Sequence, residues 1–327
     1  MISLGIESTA HTFGIGIVDD SKKILANVKR MYTTEEGGLI PAKLAEHHVT
    51  VCGDVLHEAL TEACITIKDV GIVAFSQSPG IGNSLRIGMQ AARTLALTHN
   101  KPLVGVNHCI AHLEMGRALT SAKDPVLLYA SGANTQIIAY DTGKYRIFGE
   151  TLDLGVGNFL DAFARDLGLG FPGGPHVEKL ALASSNLIEL PYVVKGMDIS
   201  LSGIFTNLRG KIKTGKFAPA DLCYSAQETV FAMLCEVTER ALAHTGKTEV
   251  VFGGGVGCNI RLQEMVSRMC AERGAVAYCP PNQFLVDNGA MIAWLGLIEY
   301  NAGVMENPDT VQIKPYLRTD QVDVVWR

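Results

Sequence analysis

The chain has 327 residues, 47% of them hydrophobic and 19% charged, with 34 glycines and a formal net charge of −5. That balance excludes a disordered chain and blanket attraction to a nucleic-acid backbone, and the length suits two lobes with a substantial core. The eight cysteines form no Cys-x-x-Cys pair or disulfide framework, no apolar run is long enough to span a membrane, and no secretory leader is read at residues 1–7. A reducing cytoplasm is expected.

Residues 2–6 and 13–18 are apolar, strand-forming runs around the polar turn Glu7-Ser8-Thr9-Ala10-His11-Thr12, and Asp19-Asp20 closes the second run. Helical patterns follow over 42–65 after Pro41, over 84–99 after the Pro79-Gly80 loop, and over 108–121 after a short strand at 102–106. Within the first helix, His47 and His48 are adjacent, project about 100° apart and read as packing or surface residues. The loop 76–86 suits a cleft lining, but it lacks the Gly-Lys-Ser/Thr end of a P-loop.

A second hairpin repeats the first: strand 126–130, tip Ser131-Gly132-Ala133-Asn134-Thr135, strand 136–141. Aligning Asp19 with Asp141 puts Thr9 on Ser131 and Ala10 on Gly132. Unless two unrelated hairpins coincide, this predicts duplicated lobes facing each other across a cleft, each tip aimed inward. Strands and helices alternate, so the class is α/β. Helices are expected over 157–168, 175–184 and 221–245, then a strand at 249–252, the glycine loop 253–259 and a helix over 260–273. Such a loop brings backbone N–H groups close to a nucleotide, or is simply a structural turn. Arg209, Lys211, Lys213 and Lys216 crowd one short segment, either a solvated helix end or a local surface for RNA.

His108 and His112 lie four apart, on one face of a helix that starts at a strand's C-terminal edge, where both imidazoles reach one metal. Two core or surface histidines are the alternative. A zinc protease of this pattern needs glutamate after the first histidine, and this chain has Cys109. Two histidines leave a metal under-coordinated; Asp287, ahead of a helix, is a candidate oxygen ligand or a helix cap. Asp161, inside an apolar helix, and Glu178, after a double-glycine turn, suit ribose hydroxyls or are solvated surface carboxylates.

Taken together these motifs are specific. Gly5-Ile6-Glu7-Ser8-Thr9-Ala10-His11, Ala45-Glu46-His47-His48, the 76–86 loop, residues 107–112, 129–136 and 172–178, Met197-Asp198-Ile199-Ser200-Leu201-Ser202-Gly203 and Asp287-Asn288-Gly289-Ala290 run in order through essentially the whole chain. The sequence resembles the archaeal and eukaryotic-type catalytic subunit of the KEOPS complex, related to bacterial threonylcarbamoyl transferases and once described as O-sialoglycoprotein endopeptidases.

The resemblance implies an actin/Hsp70/sugar-kinase-like fold of two RNase H-like lobes around a nucleotide cleft: residues 1–123, then 124–299, with about 300–327 packing back on the first. It implies transfer of a threonylcarbamoyl group from its adenylate to the exocyclic amine of the adenosine 3′ of the anticodon, in tRNAs reading codons that begin with A. Its metal ligands fall on His108, His112, Tyr129 and Asp287, with iron expected and zinc the alternative. Its contacts to threonylcarbamoyl-adenylate or ATP fall on Tyr129, Ala130, Ser131, Gly132, Ala133, Asp161, Gly174, Glu178 and Asn259. It further implies tRNA as substrate and a hetero-complex holding one copy of this chain with a small protein kinase, expected as a separate chain, a dimerising subunit and a further small protein. Ala133 stands where the family usually has a second glycine, and Gly257-Cys258 replaces a common alanine pair; the methyl of Ala133 would crowd an approaching phosphate. A small-molecule kinase of the same fold, or an ATP-switched scaffold, are the rival readings.

Overall fold

The computed structural model describes residues 1–34 and 39–327, which divide into two compact units. The first comprises Met1–Leu119, Asp141–Tyr145 and Asp287–Arg327; the second comprises Thr120–Tyr140 and Arg146–Val286.

In the first unit, β1 (Ile2–Glu7), β2 (Thr12–Asp19) and β3 (Ile24–Met31) form an antiparallel meander. Next come α1 (Pro41–Glu62), β4 (Ile72–Ser78), α2 (Gly82–His99), β5 (Leu103–Asn107) and α3 (His108–Leu119). The sheet order is β3-β2-β1-β4-β5, with β4 parallel to β1 and to β5. β4 is buried along its whole length, as a strand covered on both faces must be. The expected helix 42–65 stops at Glu62 because Cys64 takes a left-handed backbone, φ 54°.

The second unit repeats the plan. β6 (Val126–Ala130), β7 (Thr135–Asp141) and β8 (Lys144–Glu150) lead to α4 (Val156–Asp166), α5 (Gly173–Ala181), the small hairpin β9 (Val194–Lys195) and β10 (Asp198–Ile199), and α6 (Ser202–Thr214). Then follow α7 (Pro219–Thr245), β11 (Glu249–Gly253), α8 (Ile260–Glu272), β12 (Val276–Tyr278) and the short α9 (Asn282–Leu285). Its sheet order, β12-β11-β6-β7-β8, is that of the first sheet read backwards, again with two parallel pairs beyond the meander. β2 ends on Asp19 and β7 on Asp141, the two residues the sequence aligned. α5 starts at Gly173, two residues ahead of the expected 175, because Pro175 is accommodated in the first turn, where an N–H has no helical partner to lose.

The chain then returns to the first unit as α10 (Gly289–Asn301), apolar nearly all round and buried against the sheet. Ser3 donates from Oγ to the Ala293 carbonyl at 2.7 Å. Beyond α10, the Glu306 N–H bonds the Leu103 carbonyl and the Lys314 N–H bonds the Gln77 carbonyl, tying the last segment to β4 and β5. Among the described residues, no helix is long and apolar enough to cross a membrane.

Candidate functional site

Asn107 ends β5 and caps α3: its Oδ1 accepts from the N–H groups of Cys109 at 3.0 Å and Ile110 at 3.2 Å. His108 is therefore the first residue of the helix and His112 lies one turn on. Their rings are edge to face, with centroids 4.8 Å apart. Asp287 reaches both: its Oδ1 is 3.3 Å from His108 Nε2 and 3.5 Å from His112 Nε2. One donor atom from each of the three lies within 4.8 Å of the others, and both histidines are buried. Two imidazole nitrogens and a carboxylate oxygen converging at one point are a donor set that fits a divalent transition metal.

The helix-cap alternative for Asp287 falls to its neighbour. Asn288 Oδ1 accepts from the Met291 N–H at 3.0 Å, so Asn288 caps α10 and leaves the Asp287 carboxylate for the histidines. Lys29 Nζ holds the Asp287 carbonyl at 3.4 Å.

Sequence reasoning missed Glu7. Fully buried at the end of β1, it places Oε2 2.9 Å from His108 Nδ1, while its Oε1 accepts from the Thr9 N–H at 2.7 Å and the Thr9 hydroxyl at 2.5 Å. Its signal was faint: one carboxylate at the end of an apolar strand, with its histidine partner 101 positions away. Burial alone would lower the His108 pKa, but Glu7 and Asp287 outweigh it and hold the imidazole well above its ordinary value. Burial would raise Asp287, and the two histidines reverse that, keeping its carboxyl well below the usual range. His112 is lowered, chiefly by burial, with His108 adding to it. Cys109 is buried and its thiol is pushed up by desolvation, so it is no ready nucleophile.

The other expected site residues belong to the second unit. Tyr129, the fourth residue that the resemblance assigns to the metal, is buried near the end of β6, paired in register with Gly253. Beyond it, the Ser131 and Gly132 carbonyls accept from the N–H groups of Gly157 and Asn158, so the hairpin tip rests on the start of α4. A Cβ on Gly155 would overlap the Gly132 and Ala133 carbonyls, and one on Gly254, φ 85°, would overlap Ala130. Both glycine segments thus close around the 130–133 tip, while Gly132 and Ala133 themselves stay exposed.

Asp161, Gly174, Glu178 and Asn259 are also drawn into one neighbourhood. Asp161 Oδ1 accepts from the Gly173 N–H at 2.7 Å, and Glu178 Oε1 accepts from the Ile260 N–H at 2.9 Å, bringing α5 to the start of α8. Asn259 caps α8 through the Leu262 N–H and donates from Nδ2 to Gln227 Oε1 at 3.0 Å. The carboxylates are part-exposed and the asparagine is buried.

His48 and His47 form no metal group with each other. His48 is buried on Phe13, donates from Nε2 to the Ala10 carbonyl at 3.0 Å, and is lowered to about 4 mainly by burial. The basic run lies on the end of α6, where Arg209 pairs with Asp166 and Lys211 sits over Phe217.

Comparison with known proteins decides the family. The model of the family described as tRNA N6-adenosine threonylcarbamoyltransferase matches residues 23–294. The chain belongs to the tRNA N6-adenosine threonylcarbamoyltransferase family. Relatives carrying that name in Thermococcus sibiricus and Thermococcus kodakarensis are 56% and 55% identical over the full length of both chains. A Methanothermobacter thermautotrophicus relative, "Probable bifunctional tRNA threonylcarbamoyladenosine biosynthesis protein", is 51% identical over all of this chain and 61% of its own length. Among solved structures, Thermococcus kodakarensis HypF matches with TM-score 0.64 at 15% identity, over 90% of this chain and 48% of that one. Component A of the Acidaminococcus fermentans (R)-2-hydroxyglutaryl-CoA dehydratase matches with TM-score 0.58 at 13% identity, over 90% and 96%. These likenesses show the fold, which is the expected actin/Hsp70/sugar-kinase-like one. As a member of this transferase family the chain is an enzyme, a tRNA adenosine threonylcarbamoyltransferase, and its His108, His112 and Asp287 group suits a metal ion.

Proposed function

We propose that this enzyme takes the threonylcarbamoyl group from threonylcarbamoyl-adenylate and delivers it to the exocyclic amine of the adenosine 3′ of the anticodon, in tRNAs reading codons that begin with A, using iron held by His108, His112 and Asp287. The convergence of those three residues at one buried point is the observation that carries the reading. The family resemblance assigns Tyr129 to the same ion.

The donor is already activated as a mixed anhydride, so positioning matters more than covalent catalysis. The adenosine N6 attacks the carbamoyl carbon, the bond to the phosphate oxygen breaks, AMP leaves with the electron pair, and the amine releases a proton. A bound divalent ion supplies Lewis-acid stabilisation of charge growing on the carbamoyl oxygen. Around it the chain supplies rigidity: Asn107 and Asn288 cap the two helices that fix the histidines and the aspartate. Burial strengthens the electrostatics among these groups.

In the second unit, Ser131, Gly132 and Ala133 take the adenylate's phosphate at the exposed tip, with Tyr129 and Ala130 beneath it. Asp161, Gly174, Glu178 and Asn259 take its ribose and base. A kinase, a dimerising subunit and a small accessory protein complete the complex in the cytoplasm; these partners rest on the family resemblance.

The test is reconstitution with tRNA, threonylcarbamoyl-adenylate and those partners, counting threonylcarbamoyladenosine formed. The His108→Ala enzyme is expected to lose activity. Unchanged activity in that variant removes the metal mechanism.

A further inference from the structure

We infer that Glu7 is a positioning residue for the metal site: it holds His108 in the one tautomer whose Nε2 lone pair faces the ion, and Thr9 holds Glu7. The inference rests on the metal reading above and adds residues from a different element, the first strand and its turn.

A carboxylate oxygen only accepts, so the 2.9 Å contact between Glu7 Oε2 and His108 Nδ1 requires the proton on Nδ1. In the neutral ring Nε2 is then the nitrogen with a free pair, and Nε2 is the atom that faces Asp287 Oδ1 at 3.3 Å. With a cation bound at Nε2 this tautomer leaves both ring nitrogens matched, whereas the other would set the Nδ1 lone pair against Glu7 as two facing acceptors.

Glu7 is itself held. Its Oε1 takes both the N–H and the hydroxyl of Thr9, which uses that oxygen's lone pairs and turns Oε2 toward the histidine. Thr9 is anchored in turn, its carbonyl accepting from the Ile81 N–H at 2.8 Å, and the preceding residue, Ser8, donates its N–H to Ser76 Oγ at 3.0 Å. Glu7 and Thr9 are both buried, so water does not compete for these bonds. A buried carboxylate behind a ligating imidazole fixes the ring's rotation and raises its basicity toward the metal. Through this bond the β1–β2 turn controls the orientation of His108.

The experiment measures metal affinity, using cobalt(II) alone as the probe and following its visible absorption with the full-length protein. His108→Ala serves as the ligand-loss reference, and thermal unfolding of the metal-free proteins reports structural damage separately. Glu7→Ala is expected to bind cobalt(II) about 10- to 100-fold more weakly than the native chain with an altered ligand-field spectrum. The near-isosteric Glu7→Gln, which keeps an acceptor but loses the charge, should fall in between, and Thr9→Val should lose a smaller factor.

If Glu7→Ala does not fold, Glu7→Gln carries the test. Native cobalt(II) affinity and spectrum in the folded Glu7 variants, alongside loss of binding in His108→Ala, overturns the inference while leaving the metal reading intact. Native affinity in His108→Ala as well overturns both.

Discussion

Gly16 of β2 and Ala290 of α10 touch through their backbones: a Cβ built on Gly16 would overlap the Ala290 amide. Gly5 of β1 meets Ala293 and Gly289 in the same way. These glycines let α10 lie directly on the strands, and α10 follows immediately on Asp287 and Asn288. The position of the Asp287 carboxylate thus depends on two residues of a hairpin far away in the chain. Gly16→Ala is expected to lower stability by roughly 1–3 kcal/mol or more, as overpacking does, and to weaken metal binding beyond what unfolding accounts for. Thermal unfolding and a metal titration on the folded fraction check it; native affinity would show that α10 tolerates the displacement.

The caps make a milder prediction. Asn288→Ala removes the acceptor for the Met291 N–H, and Asn107→Ala removes the acceptor for Cys109 and Ile110. Each should cost about 1–2 kcal/mol of stability, read from denaturant unfolding. Asn107→Ala should loosen His108 as well, because that residue follows the cap directly.

Burial and the nearby Glu114 and Glu306 push Glu299 up to about 8 from an ordinary 4.5. The sign follows from linkage: the native protein keeps this proton to higher pH than the unfolded chain does. Stability therefore falls as pH rises from about 4.5 to about 8, by an amount on the order of a few kcal/mol. Glu299→Gln should flatten that part of the stability profile and raise stability at pH 8. An unchanged profile would mean that Glu299 ionises freely in the folded state.

Gly155→Ala drives a Cβ into the Gly132 and Ala133 carbonyls, so nucleotide affinity is expected to fall by more than global stability does. Isothermal titration with ATP against thermal unfolding separates the two effects; equal losses would make the glycine purely structural.

Much of this was legible from spacing. The two hairpins, the α/β class and the histidine pair are local patterns, and each survives as a local feature of the structure. What spacing did not decide was partnership. Asp287 and Asn288 are both good cap residues, and only the Met291 N–H pointing at Asn288 frees the aspartate. Glu7 and His108 stand 101 positions apart, so nothing in either neighbourhood announces their bond. Glu178 read as a ribose or surface carboxylate, yet it also receives the first N–H of α8, a contact made by packing two helices that are distant in sequence. The glycine loop 253–259 read as a nucleotide approach or a structural turn, and the close contacts of Gly254 are with Ala130 and Ser131 of the hairpin.

The proposed dependence of acyl transfer on a metal held by the His108, His112 and Asp287 group is directly testable. Its most direct test is to strip the protein of metal, add iron(II) back anaerobically in steps, and measure both bound iron and threonylcarbamoyladenosine formed with the partner proteins present. Activity should rise in proportion to iron and saturate at one ion per chain, and the His112→Ala enzyme should follow neither curve. Full activity in the metal-free protein, or iron-dependent activity that persists in His112→Ala, would contradict it.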